Sequence, residues 1–376
     1  MTPGMQPDVG RPVTAPDFLL SRPTGSLRTQ GSTRTFTDPA DAALALRSGT
    51  SDLVVGAIGF EPDAPAALVE PEVVVRTDGP LEPPAYFRGI RTRTRVAEEI
   101  PSPDEHRRRV STALSCIRAG GVGKVVLARA VRLVADEPID PHAVCATLID
   151  SSPYADGFLV DLSPAGGYHT GRTLVGSSPE ILVRRRGEVV ECHPLAGSAP
   201  RETDPAADQA SARALRESGK DAFEHAFVVD SLATALRPLC VDLEIPERPS
   251  LTSTREMWHL GTRIRGRIAD PRTTALDLAL AVHPTPAVCG TPTDEARRII
   301  AGIEGPRGFY AGAVGWSDAG GDGDWMVTIR CAEIDADRNG AIAWAGGGLV
   351  EGSDPDDEVA ETGAKLRTVL RAFGAV

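Results

Sequence analysis

Apolar positions along the chain fall mostly into short strand-like runs, interrupted by a few stretches of helical spacing. The segments SDLVVGAIGF, YADGFLVDL, RTLVGSS and EILVRRRGEVVEC carry many β-branched residues between turn-forming ones, which predicts sheet. Val110, Leu114 and Ile117 recur at i, i+4 and i+7 between a start signal at Ser102 and Pro103 and a stop at Gly120, which predicts a helix over 104–119. A longer helical pattern covers roughly 204–240. Another covers 355–373, with Asp354 and Pro355 in the cap and first-turn positions and Val359, Leu366, Val369 and Leu370 on one stripe. Strands and helices do not alternate strictly, so the pattern predicts an α+β fold with large antiparallel sheets and not a doubly wound parallel one. Residues 1–35, rich in Pro, Gly and Thr, predict a loose end followed by short strands. Residues 78–104, with Pro80, Pro83, Pro84, Pro101 and Pro103, predict a second irregular stretch.

Composition adds class and compartment. A chain of 376 residues, 41% hydrophobic and 24% charged, can bury a large core. Its formal charge of −12 argues against a nucleic-acid or anionic-membrane partner, because such surfaces need clustered cations. An anionic substrate would then require a few placed Arg or Lys residues or a divalent metal. No apolar run is long enough to span a bilayer and the start, MTPGMQPDVGRP, lacks a signal-peptide pattern, so the expected location is cytoplasmic. The six cysteines are scattered without a C-x-x-C, as fits reduced thiols.

The run AGGVGKVVLARA invites a phosphate-loop reading that its neighbours refuse. That motif needs Gly five places before the Gly-Lys pair and Ser or Thr after it, and those places hold Arg118 and Val125. Lys124 also opens a β-branched run, not a helix, so it needs another explanation.

Five further constellations carry possible chemistry. Asp221 with Glu224, and Glu358 with Glu361, are spaced to share a helix face, and two such faces turned together could hold Mg²⁺ through hard oxygen ligands. Acidic pairs on solvated helix faces are also commonplace. Glu180 follows Ser-Ser-Pro at a strand start, where a solvated turn residue would serve equally. Gly197, Ser198 and Ala199 form a small-residue turn able to bring backbone N–H groups against an anion. Arg330 in DWMVTIRC lies on an apolar strand, with Met326 and Thr328 as same-face neighbours, and needs either a buried anion or an exposed face. The glycines of 346–348 allow close backbone approach to a ligand, as would a plain loop. His259 and His283 fit satisfied core histidines as readily as catalysts.

Taken in order, Lys124-Val-Val-Leu-Ala-Arg, Ser178-Pro179-Glu180, Pro194-Leu195-Ala196-Gly197-Ser198, Glu224-His225, Trp258-His259-Leu260, His283-Pro284-Thr285-Pro286-Ala287, Gly308-Phe309-Tyr310-Ala311-Gly312, Thr328-Ile329-Arg330-Cys331, Ala345-Gly346-Gly347-Gly348 and Glu361-Thr362-Gly363-Ala364-Lys365 resemble the chorismate-utilising enzymes, and most closely their isochorismate synthases. The resemblance covers residues 105–376, the expected chorismate-binding core, with 1–104 as a variable N-terminal part of the same domain. It implies two large, mostly antiparallel sheets packed face to face with helices outside. It implies Mg²⁺ held by Glu224 and Glu361, with Asp221 and Glu358 in support, and a ring carboxylate shared with Gly197 and Ser198. The enolpyruvyl carboxylate would lie against Arg330, Tyr310, Lys365 and the backbone of Gly347 and Gly348, with Thr285 also among the substrate-binding residues. Lys124 would be the base that activates water, Glu180 the acid that protonates the leaving hydroxyl, and His259 the group that orients it. Such a lysine base and such a carboxylic acid both require an apolar, closed site.

Among the relatives that the resemblance brings in, anthranilate synthases use ammonia, usually with a glutaminase partner, and lack the lysine base. Aminodeoxychorismate synthases typically carry a nucleophilic lysine where this chain has Ala196. Lys124 with Ala196 therefore points to water as nucleophile and to no glutaminase subunit, and the segment HPTPAVCGTP, with Pro286 and Ala287 after Thr285, resembles isochorismate synthases ahead of salicylate synthases. A non-catalytic chorismate-binding protein is disfavoured because both Lys124 and Glu180 are present. The family's members are often monomers, and no sustained heptad pattern suggests otherwise here.

Overall fold

The structure, a computed structural model, describes residues 15–90 and 92–376. The loose end expected within 1–14 lies outside the described residues. Two large sheets and one small one make the frame. The ten-stranded sheet runs in the order Gly290–Thr291, Lys124–Ala135, Gly340–Leu349, Cys331–Ile334, Thr173–Gly176, Gly157–Asp161, Phe18–Arg22, Gly25–Gln30 and Val73–Thr77, with Thr94–Ile100 also pairing Lys124–Ala135. The nine-stranded sheet runs Cys240–Glu244, Ile264–Ile268, Val189–His193, Ile181–Arg186, Gly323–Val327, Ala313–Asp318, Leu53–Ile58, Ala67–Glu70 and Arg34–Phe36. Leu195–Pro200, Met257–Gly261 and Ser250–Ser253 form the third. All pairings among the described strands are antiparallel. This is the α+β architecture expected from the pattern, and strands from before residue 105 are built into both large sheets.

Period-2 alternation sorts side chains into layers. Phe18, Leu20, Phe158, Val160 and Leu174 point into the central core, which they share with Val54, Val55 and Val183 of the nine-stranded sheet. Leu19, Leu159 and Val175 point the other way and pack with Val144, Leu148, Leu366 and Val369 of the helices Pro141–Ser151 and Pro355–Ala372. Each fully buried Leu or Phe contributes roughly 1.5–3 kcal/mol, so both faces hold the sheet. The helix Pro103–Arg118 starts where its cap places it, with the Ser102 hydroxyl accepting from the Glu105 N–H. Asp354 caps Pro355–Ala372 in the same way.

Three expectations are corrected. The pattern over 204–240 is two helices, Pro205–Glu217 and Gly219–Leu236, because Ser218 takes extended dihedrals and caps the second by accepting from the Asp221 N–H. Residues 78–104 are not irregular throughout. Thr94–Ile100 is a strand whose mostly exposed side chains carry no apolar alternation, so only its ladder to the Lys124 strand identifies it. Arg330 is not on a strand. Residues 328–330 cross from Gly323–Val327 in one sheet to Cys331–Ile334 in the other, and Arg330 has φ 51°. The apolar run looked continuous because the strands on either side of the crossing are both buried.

Candidate active site

A second crossing, residues 177–180, takes the chain from Thr173–Gly176 to Ile181–Arg186. The two crossings are hydrogen-bonded to each other, Ser177 N–H to Arg330 O at 3.1 Å and Val327 N–H to Glu180 O at 3.2 Å. They deliver Glu180 and Arg330 to one cleft. Its lining includes Val126, Gly197, Ser198, Glu224, His259, Ala287, Val288, Tyr310, Gly348, Glu361 and Lys365, around about 610 Å³ of empty space that is partly open to solvent.

Glu180 is 2% exposed, and burial pushes its carboxyl up to about 7 against the pull of Arg330, the Leu195 N–H, Lys124 and Lys365. It can therefore hold or give up a proton near neutrality. Arg330 is buried, and burial lowers its proton affinity. Among the described residues its guanidinium makes no ion pair, and it donates to His259 Nε2 at 3.2 Å. Burial, then the charges of Arg330 and Lys365, keep His259 well below the ordinary histidine value, so its ring is neutral. A buried guanidinium without a carboxylate is costly unless an anion arrives. Tyr310 stacks on Trp344 at 5.8 Å, and burial raises its hydroxyl's proton affinity, which keeps it a neutral donor.

Lys124 is fully buried beneath the cleft, at the first position of its strand. Its Nζ lies 2.8 Å from Glu224 Oε1 in an ion pair that lacks hydrogen-bond geometry. Lys365 pairs with Glu361 one helical turn away and donates to Gly346 O at 3.0 Å. Ser198 donates to the same Glu361 Oε1 at 3.0 Å. Gly197 and Ser198 belong to the strand Leu195–Pro200 and not to a turn, although its register slips between Leu195 and Ser198 and Gly197 has φ 80°.

The glycines of 346–348 lie in the strand Gly340–Leu349, not in a loop. Successive positions face opposite sides. A Cβ on Gly347 would stand 2.5 Å from Glu358 Oε2, and one on Gly348 would stand 2.1 Å from Glu224 Oε1. At both positions a side chain would displace a carboxylate, because carboxylates close on the strand from each side. Glu358 is 2% exposed, its Oε2 has no hydrogen-bond partner, and burial followed by the charge of Glu361 raises it to about 8. Burial alone would raise Glu361 as well, but Lys365 and Ser198 outweigh it and hold Glu361 low. Asp221 is half-buried and raised by burial and by its acidic neighbours.

Among the described residues, no three acidic, histidine or cysteine side chains converge as a ready-made metal centre. Each of Glu224, Glu358 and Glu361 is instead paired with a lysine. The donor set still fits Mg²⁺: hard oxygens, an orphaned buried carboxylate oxygen, and a strand stripped of side chains where they meet. Thr285 is buried away from the lining, where its Oγ1 accepts from the Ala287 N–H at 3.3 Å and shapes the turn that presents Ala287 and Val288. Two contributors went unread in the sequence. Arg307 donates to Val126 O and Val288 O at 2.8 and 2.7 Å, clamping two walls of the cleft. Lys220 lies 3.4 Å from Glu358 Oε1. Its signal was available, since a lysine in a first helical turn opposes the helix dipole and calls for an acidic partner.

A two-sheet antiparallel α+β enzyme frame with a closed acid and lysine cleft at the sheet crossings is the class this geometry defines. Residues 85–374 match the family model described as chorismate binding enzyme, and the chain belongs to that family. A Mycobacterium tuberculosis relative with the provisional name isochorismate synthase MenF is 49% identical over 96% of each chain. Isochorismate synthase DhbC of Bacillus subtilis is 47% identical over 88% of this chain and 83% of its own. The crystal structure of Bacillus anthracis DhbC, provisionally described as a 2,3-dihydroxybenzoate-specific isochorismate synthase, superposes with TM-score 0.88 at 36% identity over 96% of both chains.

Proposed function

We propose that the chain is an isochorismate synthase, an isomerase that adds water at ring carbon 2 of chorismate and releases the hydroxyl of carbon 4. The observation that carries this reading is a pair of enclosed groups at one cleft: a carboxyl held at about 7, Glu180, and a lysine with no exposed surface, Lys124. As the neutral amine, Lys124 takes the proton of the attacking water, and Glu180, as the neutral acid, gives one to the departing hydroxyl. One water enters and one leaves, so the reaction needs no co-substrate and runs in both directions. His259 orients the leaving hydroxyl while its Nε2 stays engaged by Arg330.

Arg330, Tyr310, Lys365 and the backbone of Gly347 and Gly348 take the enolpyruvyl carboxylate, where the planar guanidinium can meet it with two bonds. Gly197 and Ser198 take the ring carboxylate. Glu224 and Glu361 would hold Mg²⁺, supported by Asp221 and Glu358. When bound, the ion supplies the positive charge that lets a carboxylate rest beside four acidic side chains. No helix of the described residues is long and apolar enough to cross a membrane. Lys124 with Ala196 makes water the nucleophile, which calls for no glutaminase subunit, and the proposed enzyme is a cytoplasmic monomer.

The test is product analysis by chromatography after incubating the full chain with chorismate and Mg²⁺ in the absence of ammonia. Isochorismate alone, approaching one fixed ratio from either side, is the expected result. Salicylate with pyruvate would replace the reading with salicylate synthase, and a folded protein inert toward chorismate would leave a binding protein.

A further inference from the structure

Lys220 has no part in the mechanism above, yet four carboxylates act on its charge. It occupies the second position of Gly219–Leu236, where the positive end of the helix dipole disfavours it. Four carboxylates offset that cost. Its Nζ is 3.4 Å from Glu358 Oε1, and Asp221, Glu224 and Glu361 also act on its charge. Glu358 is closed in at 2% exposure with its Oε2 unpartnered, whereas the Lys220 side chain is 36% exposed and can withdraw to solvent. Lys124 and Lys365 pair Glu224 and Glu361 in the same way, but both have roles toward the reacting molecule in the mechanism proposed above. Lys220 reaches Glu358 from the outer helix.

We propose that Lys220 is a resident counter-cation, a positioning residue that competes with the divalent ion for Glu358 and weakens metal binding to the empty site. The inference rests on the reading that Asp221, Glu224, Glu358 and Glu361 take Mg²⁺. Its charge keeps the acidic set folded together before the ion arrives, and opposes the ion once it enters. Removing one unit charge that competes with a divalent ion for the same carboxylate should tighten binding on the order of tenfold even where the pair is screened as strongly as in bulk water. A lysine that merely holds Glu358 in place for the metal would give the opposite sign.

Isothermal titration of Mg²⁺ into the metal-free full chain without substrate, at one pH for all variants, reads this directly. Lys220→Met and Lys220→Gln should each bind roughly tenfold more tightly than wild type, and Lys220→Arg should bind as wild type does. Neutral variants that bind equally or more weakly, alongside a Glu361→Gln control that loses affinity, would overturn the competition while leaving the metal reading intact. Tighter binding in Lys220→Arg as well would also overturn it, since charge would not be the cause. A Glu361→Gln control that binds normally would instead remove the carboxylate reading on which the inference stands.

Discussion

Glu180→Gln should cost activity and add stability, and the two effects share one cause. The carboxyl is 2% exposed, and its value rises from 4.5 to about 7 chiefly through burial. That rise corresponds to about 3 kcal/mol of differential interaction between the protonated and ionised forms. The folded state then binds more protons than the unfolded state between these two values, so stability falls as pH rises through this window. At and below pH 4.5 the group costs little, and above about 7 the full penalty of burying its charge is present. Glutamine keeps the shape and the acceptor for the Leu195 N–H but carries no charge at any pH. Near pH 8 the variant should be more stable by up to about 3 kcal/mol, or about 4 °C in Tm for a chain of this length, and the gain should vanish near pH 4.5. Turnover should fall roughly 10²–10⁴-fold, the usual worth of a general acid. Thermal melts from pH 4.5 to 8.5 and chorismate turnover at neutral pH make the pair of assays. A near-wild-type rate removes Glu180 from the chemistry, and a Tm difference that ignores pH would refute the buried-charge account.

Lys124→Ala should abolish hydration while chorismate still binds, as followed by calorimetry with Mg²⁺ present; residual turnover near wild type would end its role as base. Arg330→Lys retains charge but loses the fork and sits at a left-handed φ of 51°. It should raise KM about 10–100-fold, the worth of one lost charge-assisted bond, and an unchanged KM would place the enolpyruvyl carboxylate elsewhere. Gly348→Ala would put a methyl 2.1 Å from Glu224 Oε1, so Mg²⁺ affinity and kcat should fall together. Steady-state kinetics over a Mg²⁺ series would show it, and a silent variant would mean Glu224 has room to move.

The sequence carried the elements whose signals are local. Ser102 and Asp354 start helices because their side chains satisfy the first free N–H groups, and such caps are written in two or three residues. The Lys124 strand was legible from β-branched residues alone. What failed to show depends on partners distant in the chain. Thr94–Ile100 is a strand through its ladder to residues 130–135, and its exposed side chains say nothing of that. Ser218 breaks a continuous helical pattern because its hydroxyl serves the helix after it, which periodicity cannot detect. Arg330 read as a strand residue because period 2 has no symbol for a chain passing from one buried sheet to another. That residue also shows where local reading and site chemistry separate. The crossing was hidden by continuous burial, yet the same burial made the lone arginine conspicuous as a group in need of an anion.

A net charge of −12 and an anionic substrate are reconciled by distance. Surface carboxylates are screened by salt within about 8–10 Å, so the chain's overall sign matters little inside a closed cleft. There the local inventory decides. Glu224, Glu358 and Glu361 are each met by a lysine, and among the described residues Arg330 makes no ion pair. The side of the cleft proposed for the enolpyruvyl group offers the Arg330 guanidinium, whereas lysines offset the glutamates of the acidic side. One carboxylate of the substrate can thus be received by protein alone. The other meets glutamates already paired with lysine, and its retention calls for added positive charge. On the proposed roles, the two ends of a dianion are distinguished by what neutralises each, which would orient the ring between Lys124 and Glu180 before any proton moves.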